Sequence, residues 1–278
     1  IPWIITKPIA LLRSWIDQLE SSPHLLLRKL AVFLPILWLR QRAYRYRYIG
    51  DYHIAYDQGW LDILAEFSYR YTQQHLIHGL PAVFIPWGTS SDWYASLNLN
   101  RDIDVLWFGK RRSKRRSDLI DSIREELHIH GIKMYVVDGV ENSFVYDDER
   151  TELLNRTRIT LSLLTHRYET VFLHRFHMAA GNRCMVVSEH EYDHHPQCIP
   201  GKHYIEADAN EIVSRVLYFL SNDKEREQIT ESAYQLVTQK LTLSNSLKSL
   251  LCVAEMKMMA KKEFLWWKTQ KTGSGQQS

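Results

Sequence analysis

From about residue 102 onward, short apolar runs alternate with longer amphipathic segments, and this alternation constrains the fold more than any other feature of the sequence. The apolar runs predict strands at 104–108, 132–137, 158–164, 183–187 and, more briefly, 203–206. Parallel strands need crossover connections of a dozen or more residues, and helices of that length are predicted between these runs. The sequence therefore predicts an α/β fold in which helices cover both faces of a parallel sheet.

A parallel sheet of this kind also predicts where a ligand binds. Open α/β sheets bind ligands in the crevice at the carboxyl ends of their strands. The loops 109–116, 138–148, 165–170 and 188–202 each follow a predicted strand. We therefore expect these loops to surround one crevice.

The region before residue 96 is less regular and predicts a smaller α/β part. Its predicted elements are two helices within 8–40 that separate near Ser21–Pro23, a strand at 52–56, a helix at 61–74 and a strand at 82–86. The organisation predicted for the whole chain is an N-terminal α/β domain over 1–96, a sheet domain over 97–245, and a basic C-terminal helix and tail over 246–278.

Charge and composition exclude several classes of protein. The formal net charge is +3, but Lys and Arg are in excess at both ends of the chain, so the body between them is mildly acidic. Basic ends suit an anionic membrane surface, a nucleic acid or plain solubility. Since no nucleic-acid recognition motif is present, we expect no nucleic-acid partner. Three cysteines cannot form a disulfide framework, which indicates a reducing compartment and a cytoplasmic protein.

An apolar and basic stretch at 25–48 leaves two interpretations open. Its longest apolar run, 30–39, is too short for a membrane-spanning helix, which needs about 20 residues. Leu, Trp, Arg and Tyr together are typical of a segment that lies at a membrane interface, and this interpretation predicts peripheral membrane association. The other interpretation is a buried helix whose basic end reaches solvent, and the short apolar run favours it.

The loop 109–118 is the first segment that could carry chemistry. Gly109 ends a predicted strand, and six Lys and Arg residues precede a helix for which Ser117 is the expected N-cap. Backbone N–H groups and the helix dipole favour an anion at such a position, and arginine binds phosphate through two hydrogen bonds. A phosphate site and a solvated basic turn are both compatible with the loop, which lacks the phosphate-binding pattern of P-loop proteins.

Two histidine-containing segments follow. Within 166–189, Glu169 and His177 stand eight residues apart on either side of a helix start, and His177 read alone is an ordinary helix histidine. The His-rich stretch 189–203 has spacings that match no standard zinc site, so the residues predict a loop and no metal.

Taken in order, several short motifs resemble a known family. They are IPWG at 85–88, DVLWFGKRRSKRR at 104–116, LLNRTRITLSLL at 153–164, RFHMAAG at 175–181 and VVSE at 186–189. This order resembles the C-terminal half of group-1-like GT-B glycosyltransferases, which include the spore-maturation type. The resemblance implies a GT-B-like fold, with a Rossmann-like donor domain over 97–245 and a short or truncated acceptor-side domain over 1–96.

The resemblance also implies a function and a set of site residues. It implies transfer of a sugar, of hexosyl or related type, from a nucleotide-sugar donor to an unknown acceptor, without a metal or other cofactor. It assigns Gly109, Arg115 and Arg116 to the donor diphosphate, Arg175 to the same pocket, and Asp138 and Gly139 to the base. Glu169 matches the first acidic residue of the family's E-x7-E pair and is the expected catalytic residue.

His177 stands where the family has its second acidic residue, which contacts the donor ribose. A histidine can still hydrogen-bond a hydroxyl group, but it supplies no fixed negative charge. This substitution keeps an alternative open, in which the chain is a non-catalytic GT-B-like nucleotide-binding or membrane-associated scaffold module.

Overall fold

The structure is a computed structural model that describes residues 49–165, 173–190 and 195–273. The predictions for the first 48 residues, including the stretch at 25–48, and the position of Glu169 lie outside the described residues. The chain divides into two compact units, one formed by Ile1–Ala65 and Tyr71–Val83 and the other by Glu66–Arg70 and Phe84–Ser278. The boundaries predicted at 96/97 and 245/246 both fall within the second unit.

The predicted strand at 52–56 is wrong, because helix α1 spans Ile49–Asp57. Alternating Tyr and Ile residues suggested a strand, but the signal that prevails is Gly59, which has a φ of +73°. The amide of Gly59 donates to the carbonyl of Tyr56, and that of Trp60 donates to the carbonyl of Ala55. This pair of hydrogen bonds is a Schellman motif, which ends a helix and satisfies its last carbonyls.

The predicted helix at 61–74 is also wrong in part. The segment contains strand β1, Leu64–Glu66, followed by helix α2, Tyr69–Ile77. Strand β1 pairs with β2, Ala82–Phe84, in a two-stranded sheet. The pairing partner lies well downstream in the sequence, so the local hydrophobic pattern carries no sign of it.

The main sheet of the second unit has five strands, all parallel, as predicted. They are β3 (Ile103–Phe108), β4 (Met134–Val137), β5 (Thr157–Ser162), β6 (Met185–Glu189) and β7 (Ile205–Ala207). Their spatial order is β4-β3-β5-β6-β7. The order reverses beside β3, which places the expected ligand crevice at the carboxyl ends of β3 and its neighbours.

Helices cover both faces of this sheet. They are α3 (Lys114–Ile129), α4 (Asp147–Arg156), α5 (Leu173–Gly181), α6 (Ile212–Ser221) and α7 (Asp223–Gln235). A further helix, α8 (Leu243–Gly273), follows them. A π turn, Leu236–Lys240, extends α7, and a 3-10 turn covers Ser91–Trp93. The last helix begins just before the predicted C-terminal segment 246–278 and extends to Gly273.

Successive residues of one strand belong to two different cores. Val105 and Trp107 pack in the cluster that includes α3 and α6, whereas Leu106 packs in the cluster that includes α4, α5 and α7. All three side chains are fully buried. Because side chains alternate along a strand, burial on both faces requires the near-continuous apolar runs that the sequence shows.

Within the described parts of the chain, none of the helices combines the length and the apolar character that spanning a bilayer requires.

Candidate functional site

A cavity of about 390 Å³ opens at the carboxyl edge of the main sheet. The loops after β3 and β4 and the start of α5 form it, which confirms that the first two predicted loops share one crevice. Among the described residues that line it, five are Lys or Arg and none is Asp or Glu. These cations are Lys110, Arg112, Arg116, Arg150 and Arg175. We refer to this cavity as the basic cleft; its composition suits a ligand with several negative charges.

Gly109 allows Arg175 to reach the end of β3. Its φ is +135°, and a Cβ atom there would lie 2.9 Å from Nη2 of Arg175. The same Nη2 atom donates to the carbonyl of Phe108 at 3.1 Å, and the guanidinium lies 5.4 Å from the centre of the Phe108 ring. Both predicted residues therefore meet at the basic cleft, and the strand end fixes the arginine before any ligand binds.

The start of α3 differs from the prediction. The N-cap is Ser113, whose hydroxyl accepts a hydrogen bond from the amide of Arg116, and Ser117 lies inside the helix. Arg116 is therefore a first-turn residue, lines the cleft and is only 6% exposed. Its Nη1 donates to the carbonyl of Lys110 at 3.1 Å. Arg116 thus connects the basic loop to the helix and also contributes charge to the cleft.

Arg115, predicted to contact the diphosphate, is not among the residues that line the basic cleft. Its two terminal nitrogens bind the carboxylate of Glu189, which is buried, and its Nη1 also donates to the carbonyl of Leu164 at 3.0 Å. Glu189 in turn accepts a hydrogen bond from the amide of Leu164 at 2.7 Å. The contact with Glu189 raises the pKa of Arg115, and the pair joins α3 to the ends of β5 and β6.

The carboxylate of Asp138 holds a loop together and does not line the cleft. One of its oxygens accepts hydrogen bonds from the amides of Val140 and Glu141, each at 2.8 Å. The other accepts from Nε of Arg111 at 2.7 Å. Burial alone would raise the pKa of Asp138, but these donors together hold it below its usual value. Both oxygens of this carboxylate are therefore engaged within the protein.

Gly139 shapes the wall of the cleft without facing it. Its φ is +82°, and a Cβ atom there would lie 2.5 Å from the ring of Phe144. Phe144 lines the cleft together with Val137, Val145 and Tyr146. Glycine at 139 thus allows the loop after β4 to bring apolar side chains to the cleft.

His177, predicted to contact the donor ribose, is fully buried and lies outside the lining of the cleft. Its Nδ1 lies 2.5 Å from the hydroxyl oxygen of Thr89. Burial, with smaller contributions from His195 and His174, lowers the pKa of His177 to about 3. The side chain is therefore neutral at pH 7, and it connects α5 to the segment that precedes β3.

Sequence reasoning missed several cleft residues. Lys110 and Arg112 were visible as members of the basic run, but the prediction favoured Arg115 instead. Arg150 carried no local signal, since only the tertiary structure brings α4 to the end of β3. The sequence also did not predict the structural role of Arg111. Its side chain binds the carboxylates of Asp138, Asp121 and Glu141 at 2.7–2.9 Å.

The described residues contain no group of three or more His, Cys, Asp or Glu side chains placed to hold a metal ion. Part of the His-rich stretch, residues 191–194, lies outside them.

Comparison with known families identifies the chain. The sequence pattern of a family described as glycosyl transferase-like matches residues 111–251, which begin in the basic loop and end in α8. The chain belongs to this glycosyl transferase-like family. The match spans both sides of the basic cleft, and the expected group-1-like resemblance is confirmed. None of the curated proteins compared with the chain matches it.

Solved structures with a similar fold are GT-B glycosyltransferases, as expected for this glycosyl transferase-like protein. A glycosyltransferase from Rickettsia africae ESF-5 has 12% identity and a TM-score of 0.53, and the match covers 70% of this chain and 63% of that one. Anabaena HepE in complex with UDP has 10% identity and a TM-score of 0.54, covering 70% and 64%. Sucrose-phosphate synthase from Thermosynechococcus elongatus has 14% identity and a TM-score of 0.52, covering 72% and 59%. The match thus spans less than two thirds of each neighbour's length.

Proposed function

We propose that this protein is a glycosyltransferase that moves a sugar from a nucleotide-sugar donor to an acceptor. The observation that carries the proposal is the basic cleft at the carboxyl edge of the sheet, where five cations and no carboxylate line the described surface. Membership of the glycosyl transferase-like family supports the reaction class. Structures of Anabaena HepE hold UDP or UDP-glucose, which supports a nucleotide-sugar as the ligand.

In this proposal the donor diphosphate lies beside Arg175 and Arg116. Arg175 is held by the carbonyl of Phe108 and Arg116 by that of Lys110, so both charges are placed before the donor binds. Arginine recognises phosphate oxygens through two parallel hydrogen bonds, whereas a lysine such as Lys110 acts as a point charge. The cations can therefore balance the diphosphate charge by themselves.

The base of the donor would lie against the apolar wall of the cleft. Val137, Phe144, Val145 and Tyr146 line this side. An aromatic ring offers a planar base a stacking surface, and such contacts tolerate any base. The nucleotide would thus be oriented with its base on the wall after β4 and its diphosphate at the end of β3.

The same cations would assist the chemical step. As the bond between the sugar and the diphosphate breaks, negative charge grows on the leaving oxygen. Fixed positive charges interact more strongly with this developing charge than with the bound donor, so they lower the barrier. Glu169 stays the predicted catalytic residue for the sugar side of the reaction.

A thermal-shift panel tests the binding half of the proposal. UDP, GDP and ADP, each with a matching sugar nucleotide, are added to the full chain, and at least one pair should raise the melting temperature. Arg175→Ala should abolish the shift, whereas Arg215→Ala, an exposed arginine on α6, should retain it. If no nucleotide binds, the proposal is wrong.

Hydrolysis or transfer of the donor that binds separates an enzyme from a nucleotide-binding module. The second candidate is favoured by one observation, namely the burial of His177 where the family has an acidic residue. Release of nucleoside diphosphate from the donor supports the transferase. Tight binding without release, with and without candidate acceptor sugars, supports the module.

A further inference from the structure

Three aromatic side chains form a group next to the basic cleft, and nothing in the function above uses them. His174 lines the cleft, and its ring centre lies 4.8 Å from that of Trp87 and 6.4 Å from that of Trp93. Trp87 is 38% exposed, although it is one of the largest apolar side chains. We refer to Trp87, Trp93 and His174 as the aromatic shelf.

The backbone beneath Trp87 is held in place on several sides. Gly88 packs so closely that a Cβ atom there would lie 2.2 Å from the backbone of Thr242. The amide of Thr89 donates to the carbonyl of Leu241 at 2.7 Å, and the hydroxyl of Ser246 donates to the carbonyl of Pro86 at 2.6 Å. A partly exposed indole on such a fixed backbone loses little conformational entropy when a ligand packs on it.

Trp93 and His174 are constrained as well. The side-chain amide of Asn182 donates to the carbonyl of Trp93 at 2.9 Å. The edge of the Trp87 ring also packs against Phe67, with ring centres 6.2 Å apart. Burial lowers the pKa of His174, so its ring is neutral at pH 7. The shelf is therefore an uncharged aromatic surface that begins where the cations of the cleft end.

We propose that the aromatic shelf binds the sugar ring of the ligand whose diphosphate lies in the basic cleft. This inference rests on the proposed function, because it places the sugar relative to the diphosphate. A pyranose ring has an apolar face of C–H groups that packs on an indole, and its hydroxyls can accept from the indole N–H. His174 lines the cleft and also contacts both tryptophans, so the ligand can continue from the cleft onto the shelf.

The position of the shelf favours a sugar over the nucleobase. The base already has the apolar wall formed by Phe144 and Tyr146, on the side of β4. The shelf lies instead on the side of α5, which carries both His174 and Arg175. A diphosphate between the two aromatic surfaces would have its nucleoside on one side and its sugar on the other.

The test compares the affinity of Trp87→Ala for UDP with that for UDP-glucose, and for GDP with that for GDP-mannose, by calorimetry on the full chain. For the pair that binds the wild type, we expect about a tenfold loss for the sugar nucleotide and less than a twofold change for the nucleoside diphosphate. Trp87→Phe should recover most of the loss. Tyr218→Ala, at an exposed aromatic residue on α6, should change neither affinity.

A third titration distinguishes the sugar ring of the donor from that of a free sugar acceptor. Glucose or mannose is titrated into the protein saturated with the matching nucleoside diphosphate. A loss in Trp87→Ala for the sugar nucleotide supports the proposal, whereas a loss confined to the free sugar contradicts it and assigns the shelf to an acceptor ring.

Two results would overturn the shelf proposal. If Trp87→Ala and Trp93→Ala both leave every sugar affinity unchanged while Arg175→Ala abolishes nucleotide binding, the shelf proposal is wrong and the proposed function stands. If the wild type binds no nucleotide at all, both fail. Circular dichroism and the retained affinity for nucleoside diphosphate show that a variant is folded.

Discussion

The two sides of the basic loop carry the same type of residue in opposite electrostatic surroundings. On the outer side, Arg111 binds three carboxylates and Arg115 binds the buried carboxylate of Glu189. On the inner side, Lys110, Arg112 and Arg116 line the cleft, where no described carboxylate lies. Outer arginines therefore hold loops together, and inner ones add positive charge to the cleft. A run of arginines in a sequence predicts an anion site only where nearby acidic residues leave its charges unbalanced.

The comparison predicts its largest effect at Arg175, which lines the cleft from α5 and is held at the end of β3. Arg175→Ala should reduce turnover, or nucleoside-diphosphate affinity where turnover is absent, by about a hundredfold, because a preorganised charge is lost. Arg175→Lys should recover part of the loss. Steady-state kinetics and calorimetry measure both. An unchanged affinity would contradict the inner role.

Arg116 tests whether one residue both contributes charge to the cleft and stabilises the loop. Arg116→Ala should weaken nucleotide binding about tenfold and also lower the free energy of unfolding by about 1–3 kcal/mol, because its buried stem and its hydrogen bond to Lys110 are lost. Urea denaturation measures the loss of stability and calorimetry the loss of affinity. A variant of wild-type stability would contradict the structural role of Arg116.

Arg115 should show the opposite behaviour. Arg115→Ala leaves Glu189 buried without its ion-pair partner, so the free energy of unfolding should fall by about 1–3 kcal/mol. Nucleotide affinity should change less than twofold. In the double variant with Glu189→Gln, the combined loss should be smaller than the sum of the single losses. A large loss of nucleotide affinity in an Arg115→Ala protein of wild-type stability would show that Arg115 contacts the ligand.

Asp138 makes the outer side sensitive to acid. Since its pKa is lowered in the folded protein, the stability it contributes is present above the unfolded pKa near 3.8 and is lost as pH falls through the folded value. Between pH 5 and pH 3 the free energy of unfolding of the wild type should therefore fall more steeply than that of Asp138→Asn. Chemical denaturation at a series of pH values measures the two slopes. Parallel slopes would mean that Arg111 does not stabilise the carboxylate.

The smallest effect is expected at Lys110, which is exposed at the rim of the inner side. Lys110→Ala should cost less than about 1 kcal/mol of nucleotide binding, because solvent and salt screen an exposed charge. The residual effect should disappear in high salt. A loss of nucleotide affinity as large as that of Arg175→Ala would show that the ligand orders Lys110 and binds it directly.

The regular part of the fold could be predicted because its signals are local. Apolar runs such as the one before Gly109 identify strands buried on both faces, and the sheet topology then places the loops at one edge. The strand predicted at 52–56 is a helix, because Gly59 provides a helix stop just after it. The helix predicted at 61–74 contains a strand, because its pairing partner lies well downstream in the sequence. Ser113 replaced Ser117 as the N-cap, although both are serines that could cap the helix.

The amino-acid sequence by itself determined that this chain forms a parallel α/β sheet with a basic loop at its ligand-binding edge, since hydrophobic periodicity and glycine positions act over a few residues. Only the tertiary structure decided which cations face the cleft. That choice depends on Glu189, Asp138 and Thr89, which lie many residues away from Arg115, Arg111 and His177 along the chain. Electrostatic and hydrogen-bond partners act through space, so a side chain's role is decided when the fold brings its partners within about 3 Å.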